Sequence, residues 1–171
     1  VAIKAKNPKS EAFGRIENES KWLKKLNKRN IGPKLLFIGD DYFFYKYIDG
    51  GFIIDYFEKS NKRDIKKVIR EVFNQMFVLD NLKIDKEEMH HPLKHIIISK
   101  NKPYLVDFER AHYSSSPKNV TQFCQFIISK NAVSILKNKR IAVNMAKIIS
   151  LAKVYKKNQT IKNFKKITEM I

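Results

Sequence analysis

Lys4 and Glu19 are the first two residues of the sequence whose types and positions favour a functional ion pair. Lys4 lies in residues 1–6, where apolar and polar side chains alternate with the period of a β-strand. Glu19 falls near the centre of the apolar face of the following helical pattern, whereas Glu17 points away from that face. A carboxylate in a core-facing stripe is costly unless a cation neutralises it. We therefore expect Glu19 to bind Lys4; the alternative is that Lys4 points to solvent.

Asp107 is the second candidate, because it directly follows a run of β-forming residues at 104–106. Such a position puts a carboxylate at the mouth of a strand, where it can ligate Mg²⁺ while nucleotide phosphates complete the coordination shell. An ordinary strand cap is the alternative for a lone Asp. Upstream, the polar loop at 89–95 leads into another apolar strand, so the order is loop, strand, turn, strand and Asp107.

That loop carries three histidines, His90, His91 and His95. Histidine is a common ligand of transition metals, so the three could form a metal site. Their spacing across Pro92 is not a recognised metal-ligand pattern, however. A site formed by all three is therefore not the favoured interpretation.

The elements that must position these residues follow from hydropathy periods and turn residues. A strand at 1–6 breaks at 7–10, and a helix runs from its N-cap Ser10 to about residue 28, with Phe13 on its apolar face. A hairpin of strands 34–38 and 42–48 follows, and then a helix at about 64–82. A second hairpin has strands 96–99 and 104–108 and turns at 100–103, and two or three helices follow from Thr121 onward. The sharpest break in composition is Asp49-Gly50-Gly51, which divides residues 1–49 from residues 50–171. This order predicts an α+β fold with a small sheet-containing lobe and a larger helical lobe.

The chain is strongly basic: its 171 residues include 35 Lys and Arg against 17 Asp and Glu, a net charge of +18. With 43% hydrophobic residues, the composition is that of a folded domain and argues against intrinsic disorder. Residues 130–171 hold 11 of the Lys and Arg against a single acid, Glu169. The excess is either a lysine-rich surface or an electrostatic footprint for nucleic acid or another polyanion.

Cys124 is the one cysteine, so no internal disulfide can form. No apolar run approaches the roughly 18 residues that a membrane span needs. Both observations favour a reducing, cytoplasmic setting with no membrane partner. Val1 lies inside the first strand pattern, with neither an initiator Met nor a signal segment, so we expect the natural N-terminus to lie further upstream.

Taken in order, five segments of the sequence resemble the protein-kinase-like superfamily: VAIK with Lys4, ENES with Glu19, KYIDG, HHPLKHIII, and VDFE with Asp107. The similarity covers roughly residues 1–125 and is closest to minimal archaeal members, the predicted serine/threonine kinases of the RIO-like and KEOPS-kinase type. The resemblance implies a two-lobe fold with a truncated N-terminal lobe and a mainly helical C-terminal lobe. It also implies that ATP and Mg²⁺ bind between the lobes, and that the γ-phosphoryl group passes to a serine or threonine or is hydrolysed.

The resemblance assigns a role to each matching residue. Lys4 would hold the α- and β-phosphates of ATP, Glu19 would orient Lys4, and Asp107 would bind Mg²⁺. The adenine edge would bind the backbone of the hinge between the lobes, at Lys46, Tyr47 and Ile48.

The catalytic loop departs from the family's H-x-D-x-x-x-x-N pattern. Aligned by distance from Asp107, the loop has Glu88 at the family's His. His90 then stands at the Asp that accepts the substrate proton, and could serve as the base near neutral pH. His95 stands at the Asn that holds the second Mg²⁺ and is a poor ligand for that ion, so this metal site is expected to be weak. In a different register, His91 or Glu88 would be the functional group.

Three more departures affect the expected site. The Gly-rich phosphate loop is missing, so a lid over the phosphates either comes from sequence upstream of Val1 or does not exist. Glu109 replaces the usual glycine after Asp-Phe, which predicts a fixed loop. The serines at 114–116 are either autophosphorylation sites or a polar turn before a helix.

Two further function classes stay open. A catalytically degraded, pseudokinase-like module would bind nucleotide without transfer and dock RNA or an acidic protein through its basic surface. A plain nucleic-acid-binding domain has no recognised motif behind it. For an active kinase, the partners would be ATP, a protein phosphoacceptor and, through the basic C-terminal segment, RNA or a ribosome or tRNA-modification complex.

Overall fold

The computed structural model describes residues 1–6 and 14–171, and over these residues the protein is mixed α/β with small antiparallel sheets. The strands are β1 Ala2–Ala5, β2 Leu35–Ile38, β3 Tyr42–Tyr45, β4 Gly51–Phe52, β5 Ile84–Asp85, β6 Ile96–Ser99, β7 Lys102–Leu105 and β8 His112–Tyr113. The helices are α1 Arg15–Leu26, α2 Ile53–Lys59, α3 Lys62–Asn81, α4 Asn119–Ile127, α5 Lys130–Asn138, α6 Met145–Lys157 and α7 Ile161–Thr168. No helix in the described ranges is long and apolar enough to cross a membrane.

The first sheet has the order β1-β3-β2 and carries Lys4 on its β1 edge strand, opposite Phe43 of β3. The predicted strands at 1–6, 34–38 and 42–48 are confirmed, although β3 ends at Tyr45. The tight turn between β2 and β3 closes with a hydrogen bond from the Gly39 N–H to the Tyr42 carbonyl. Lys4 therefore extends from a paired strand, and its backbone position is fixed by the sheet.

Helix α1 packs its apolar face against the core and buries Glu19 with it. Its predicted start, with the N-cap Ser10, the apolar Phe13 and the break at 7–10, lies outside the described residues. After α1, a turn of 3₁₀ helix leads to Asn30 and Gly32, both with positive φ. A Cβ at Gly32 would lie 2.8 Å from Cδ2 of Leu23, so glycine allows the chain to return closely past α1.

The second sheet has the order β4-β6-β7. Its hairpin turns at Lys100 and Asn101, both with positive φ, which gives a tighter turn than the predicted one at 100–103. Strand β7 accordingly begins at Lys102 and ends at Leu105, so the predicted strand at 104–108 was wrong in both bounds. Residues 106–108 leave the sheet, and Asp107 lies beyond the end of β7.

The break at Asp49-Gly50-Gly51 is where the chain passes from the first sheet to the second. A Cβ at Gly50 would lie 2.2 Å from the carbonyl oxygen of Ile98, so a side chain cannot fit between these two backbones. The sequence placed the next element after this break at about 64–82, as a helix. The structure has a short strand, β4, directly after the break, and then helix α2, which packs on β4 and β6.

The remaining helices build one continuous apolar core with α1. The predicted helix at 64–82 is confirmed as α3, with Asn61 as its N-cap, accepting a hydrogen bond from the Asp64 N–H. The helices expected from Thr121 onward begin at Asn119 and number four rather than two or three. The C-terminal pair packs on α3, where Phe164 of α7 stacks on Phe77.

Asp80 of α3 is a buried polar anchor for the C-terminal helices. Its carboxylate accepts hydrogen bonds from the Asn119 backbone and side chain, at 3.1 and 2.8 Å, from the Val120 N–H at 3.3 Å, and from the Tyr155 hydroxyl at 2.9 Å. Asn119 in turn accepts from the Lys86 N–H at 2.9 Å. Asp80 thus ties the start of α4 and the end of α6 to the loop that leads into the candidate site.

Candidate functional site

Lys4 and Glu19 form the ion pair that the sequence predicts. Lys4 Nζ lies 2.5 Å from Oε2 of Glu19, whose side chain is only 6% exposed. The other oxygen, Oε1, accepts a hydrogen bond from the Phe108 N–H at 3.2 Å. Both carboxylate oxygens therefore have donors, which is the condition under which a buried charge is tolerated.

Asp107 is the second carboxylate in contact with Lys4. Its Oδ1 lies 3.1 Å from Lys4 Nζ, and Oε2 of Glu109 lies 3.8 Å from it. Asp107 has φ +63, a left-handed conformation that is uncommon for a residue with a side chain. Such strain persists only where the surroundings enforce it, and it is concentrated at functional sites.

The pKa shifts agree with an ionised cluster. Burial alone would lower the pKa of Lys4, but Glu19 and Asp107 outweigh it and raise that pKa above its ordinary value. Burial would raise the pKa of Asp107, but Lys4 and Lys86 outweigh it and lower that pKa. Burial raises the pKa of Glu19, and Lys4 opposes that rise. Lys4 is therefore cationic and Asp107 anionic at neutral pH.

Lys86 is a buried part of the site that the sequence did not indicate. It is 3% exposed, donates from Nζ to the carbonyl oxygen of Asp107 at 2.8 Å, and lies 4.9 Å above the ring of Phe108. Burial lowers its pKa to about 8, against the attraction of nearby carboxylates. Lys86 thus fixes the left-handed backbone of Asp107 through its carbonyl oxygen. A lysine in a short polar segment has no periodicity that marks it as buried.

His95 lies between Asp107 and Glu88. Its Nε2 is 3.2 Å from Oε2 of Glu88, and its Nδ1 is 3.9 Å from Oδ2 of Asp107. Glu88 also binds Arg110 at 2.9 Å. Burial and then Lys86 lower the pKa of His95, which favours the neutral ring at pH 7. The contact with Glu88 assigns the proton of the neutral ring to Nε2. Nδ1 therefore carries the lone pair, which faces Asp107.

The segment that follows Asp107 is fastened to α1. The Asn18 side chain donates to the carbonyl oxygens of Glu109 and Ala111, and the Trp22 indole donates to that of Ala111 at 2.7 Å. Arg15 binds Glu109 at 3.0 Å. These contacts favour the fixed loop that the sequence predicts. Further on, residues 114–118 form an irregular segment before α4, with a bend at Ser115 and Ser116.

His90 and His91 are exposed and are not brought to this cluster. Among the described residues, no hydrogen bond or ion pair joins either histidine to Lys4, Glu19 or Asp107. His90 instead lines a cavity of about 560 Å³ bordered by α4 and α6. The loop is turned by Glu87 and Glu88, two successive residues with positive φ. Two adjacent left-handed residues of this type are not foreseeable from the sequence.

The expected hinge lies in residues 46–50, between the two sheets. The Lys46 N–H is already used, because it donates to the Lys34 carbonyl at 2.8 Å. Tyr47 is 61% exposed. Lys46, Tyr47 and Ile48 line a cavity of about 940 Å³ whose lining includes none of Lys4, Glu19 and Asp107.

The residues present fit a magnesium ion that arrives with a nucleotide. Within the described ranges no group of three His, Cys, Asp or Glu could hold a metal. Mg²⁺ bound with phosphates, however, needs only one or two protein carboxylates. Nδ1 of His95 is buried without a hydrogen-bond partner and faces Oδ2 of Asp107, so a cation or a metal-bound water between them would satisfy both atoms.

Comparisons with known proteins add a relative but no function. No protein-family model matches the chain. The chain is similar to an uncharacterized protein of Methanocaldococcus jannaschii, with 28% identity over 115 residues, which cover 66% of this chain and 98% of that protein. Any functional conclusion therefore rests on the residues of the site.

Proposed function

We propose that this protein is an ATP-dependent phosphotransferase of the protein-kinase-like type, with residues 1–49 and 50–171 as its two lobes. It would use ATP with Mg²⁺ and transfer the γ-phosphoryl group to a protein serine or threonine, or hydrolyse it. The observation that carries the proposal is Lys4 Nζ, which contacts the buried Glu19 and the strained Asp107 together.

Each residue of the cluster has a role that its contacts support. Glu19 is held by the Phe108 N–H and by Lys4, so it can keep the ammonium in place when a phosphate replaces Asp107 as the second partner of Lys4. Asp107 and the phosphates would then hold Mg²⁺, which supplies charge neutralisation on the transferred group. Lys86 keeps the Asp107 backbone in its left-handed conformation.

The proton acceptor has two candidates. His90 is the one that the family resemblance implies, and it would have to turn from its exposed position toward the cluster. Glu88 already lies beside His95, which in turn faces Asp107. The arrangement favours Glu88, with His95 as the group that positions it.

The experiment follows the γ-phosphate of labelled ATP into protein or inorganic phosphate. Asp107→Asn should lower the rate more than about 100-fold, because it removes the negative charge that would hold the metal while preserving shape. Glu88→Gln should lower the rate by about 100-fold and His90→Ala by less than about threefold if Glu88 is the base. Circular dichroism of each variant is the control for folding. A rate that Asp107→Asn leaves unchanged would contradict the proposal.

A second candidate is a nucleotide-binding module that transfers nothing. It is favoured by His90 and His95, which stand where kinases have Asp and Asn, and by the exposed orientation of His90. Saturable Mg·ATP binding in isothermal titration, together with no release or transfer of the labelled γ-phosphate, would select this function.

A further inference from the structure

A groove along α3 collects more positive charge than either of the two cavities described above. Its volume is about 780 Å³, and it lies between the turn after α1, one face of α3 and the start of β7. Its cationic lining residues are Arg29, Arg63, Lys66, Lys67, Arg70 and Lys102, which we call the basic groove. Among the described residues, Glu71 is the one acid in its lining.

The cations of the basic groove are available to a ligand. None of the six forms an ion pair with a carboxylate in the part of the chain that the structure describes. Five of the six are exposed, and Lys66 is half-buried. Leaving so many like charges together is unfavourable for the isolated chain, and an anion removes that repulsion.

The spacing of the cations on α3 forms a continuous stripe. Arg63, Lys66, Lys67 and Arg70 recur at intervals of three and four, so they lie on one face of the helix over about 10 Å of its axis. A nucleic-acid duplex carries one negative charge per roughly 1.7 Å of its axis, so a stripe of this length meets several phosphates. Arg29 and Lys102 extend the contact beyond the helix.

The other lining residues favour a nucleic-acid duplex over a single strand or an acidic protein as the anion. The groove has no aromatic lining residue among those described, so it lacks the stacking surfaces by which proteins bind single strands. Within the described ranges, its apolar lining consists of Ile31, which is 2% exposed, and the half-buried Val78. A protein partner would be expected to need an accessible aromatic or apolar anchor. Asn30 and Asn74 add amide donors suited to phosphate and sugar oxygens.

We infer that the basic groove docks the phosphate backbone of a nucleic-acid duplex. This surface differs from the C-terminal segment to which the distribution of charge in the sequence points. It also shares no residue with the Lys4 cluster, so it stands whether or not the protein turns over ATP. The three groove arginines provide forked donors that bind phosphate in a bidentate manner.

The test is fluorescence anisotropy of labelled 20-bp RNA and DNA duplexes, titrated with the whole chain at several salt concentrations. The groove variant is Arg63→Gln/Lys67→Gln/Arg70→Gln. The matched control is Lys162→Gln/Lys165→Gln/Lys166→Gln, which removes the same charge from exposed positions of α7. Circular dichroism should show both variants folded, since all six substitutions are at exposed sites.

We expect the wild type to bind with an affinity that falls linearly with salt on logarithmic axes. The groove variant should lose about tenfold or more in affinity, and its salt slope should fall by about two to three units, close to one per phosphate contact. The control should stay within about threefold of the wild type. Tighter binding of the RNA duplex identifies RNA as the source of the phosphates, and tighter binding of the DNA duplex identifies DNA.

Three results would overturn the inference. One is no binding of either duplex at low salt. Another is an equal loss in the groove variant and the control, which would assign binding to total charge or to the C-terminal segment. The third is tighter binding of labelled poly-glutamate than of both duplexes, which would assign the groove to an acidic protein.

Discussion

Asp80→Ala is expected to lower the free energy of unfolding by at least about 4 kcal/mol, a large share of the 5–15 kcal/mol typical of a domain. The substitution leaves four donors without their acceptor: the backbone and side-chain N–H groups of Asn119, the Val120 N–H and the Tyr155 hydroxyl. Each unsatisfied buried donor costs about 1–3 kcal/mol. Because Asn119 also positions Lys86, the loop beside Asp107 should loosen in the same variant.

Urea unfolding followed by circular dichroism measures this effect. Tyr155→Phe is the graded control, since it removes one donor and keeps the ring, and should cost about 1 kcal/mol. A loss for Asp80→Ala no larger than that of Tyr155→Phe would show that Asp80 is not the anchor of α4 and α6.

The same carboxyl group should make stability depend on pH. Burial raises the pKa of Asp80 to about 6, despite its four hydrogen bonds. A raised pKa means that the folded state holds the proton more tightly than the unfolded state, so stability falls as pH rises from about 4 to about 6. A shift of about two units corresponds to roughly 3 kcal/mol.

The difference in stability between the wild type and Asp80→Asn isolates this group, because asparagine does not titrate. Relative to the variant, the wild type should lose about 2 kcal/mol between pH 4 and pH 6, the larger part of the full difference. Urea unfolding of both proteins at several pH values measures the difference. A difference that stays constant over this range would contradict the raised pKa.

Lys4→Met is expected to have the second large effect on stability, about 3 kcal/mol, because it leaves Glu19 buried without a cation. Protonation of Glu19 and its remaining hydrogen bond from the Phe108 N–H limit the loss. Glu19→Gln should cost less, about 1–2 kcal/mol, because Lys4 is one-third exposed and keeps Asp107 as a partner.

The double variant completes a cycle that measures the pairing itself. If the two side chains depend on each other, Lys4→Met/Glu19→Gln should be more stable than the sum of the single losses predicts. Thermal and urea unfolding of the four proteins provide the measurement. Additive losses would show that the two residues do not interact in solution.

Parts of the site can be predicted from the sequence where the pattern of apolar residues in one helix or strand determines which side chains are buried. Glu19 could be placed next to Lys4 because a carboxylate in an apolar helical stripe must find a cation, and the structure confirms the pair. Asp107 could be placed beyond a strand end, although not its left-handed φ. The helix at 64–82 could be predicted for the same reason, since its apolar residues recur at helical spacing.

The other parts depend on the path of loops and on distant contacts. The position of His90 follows from the two left-handed residues before it, which no local propensity requires. Lys86 is buried because the segment at 106–108 folds over it. The basic groove cannot be predicted from the distribution of charge along the sequence, because Arg29 and Lys102 come next to the cations of α3 only in the folded protein.

The central claim is that Lys4, Glu19 and Asp107 form a site for Mg·ATP. Isothermal titration of ATP into the wild type and into Asp107→Asn, each with Mg²⁺ and with EDTA, tests it most directly. We predict saturable binding by the wild type that weakens at least about tenfold without Mg²⁺, and no effect of Mg²⁺ on Asp107→Asn. Absence of saturable binding by the wild type, or binding that neither EDTA nor the substitution changes, would contradict the account.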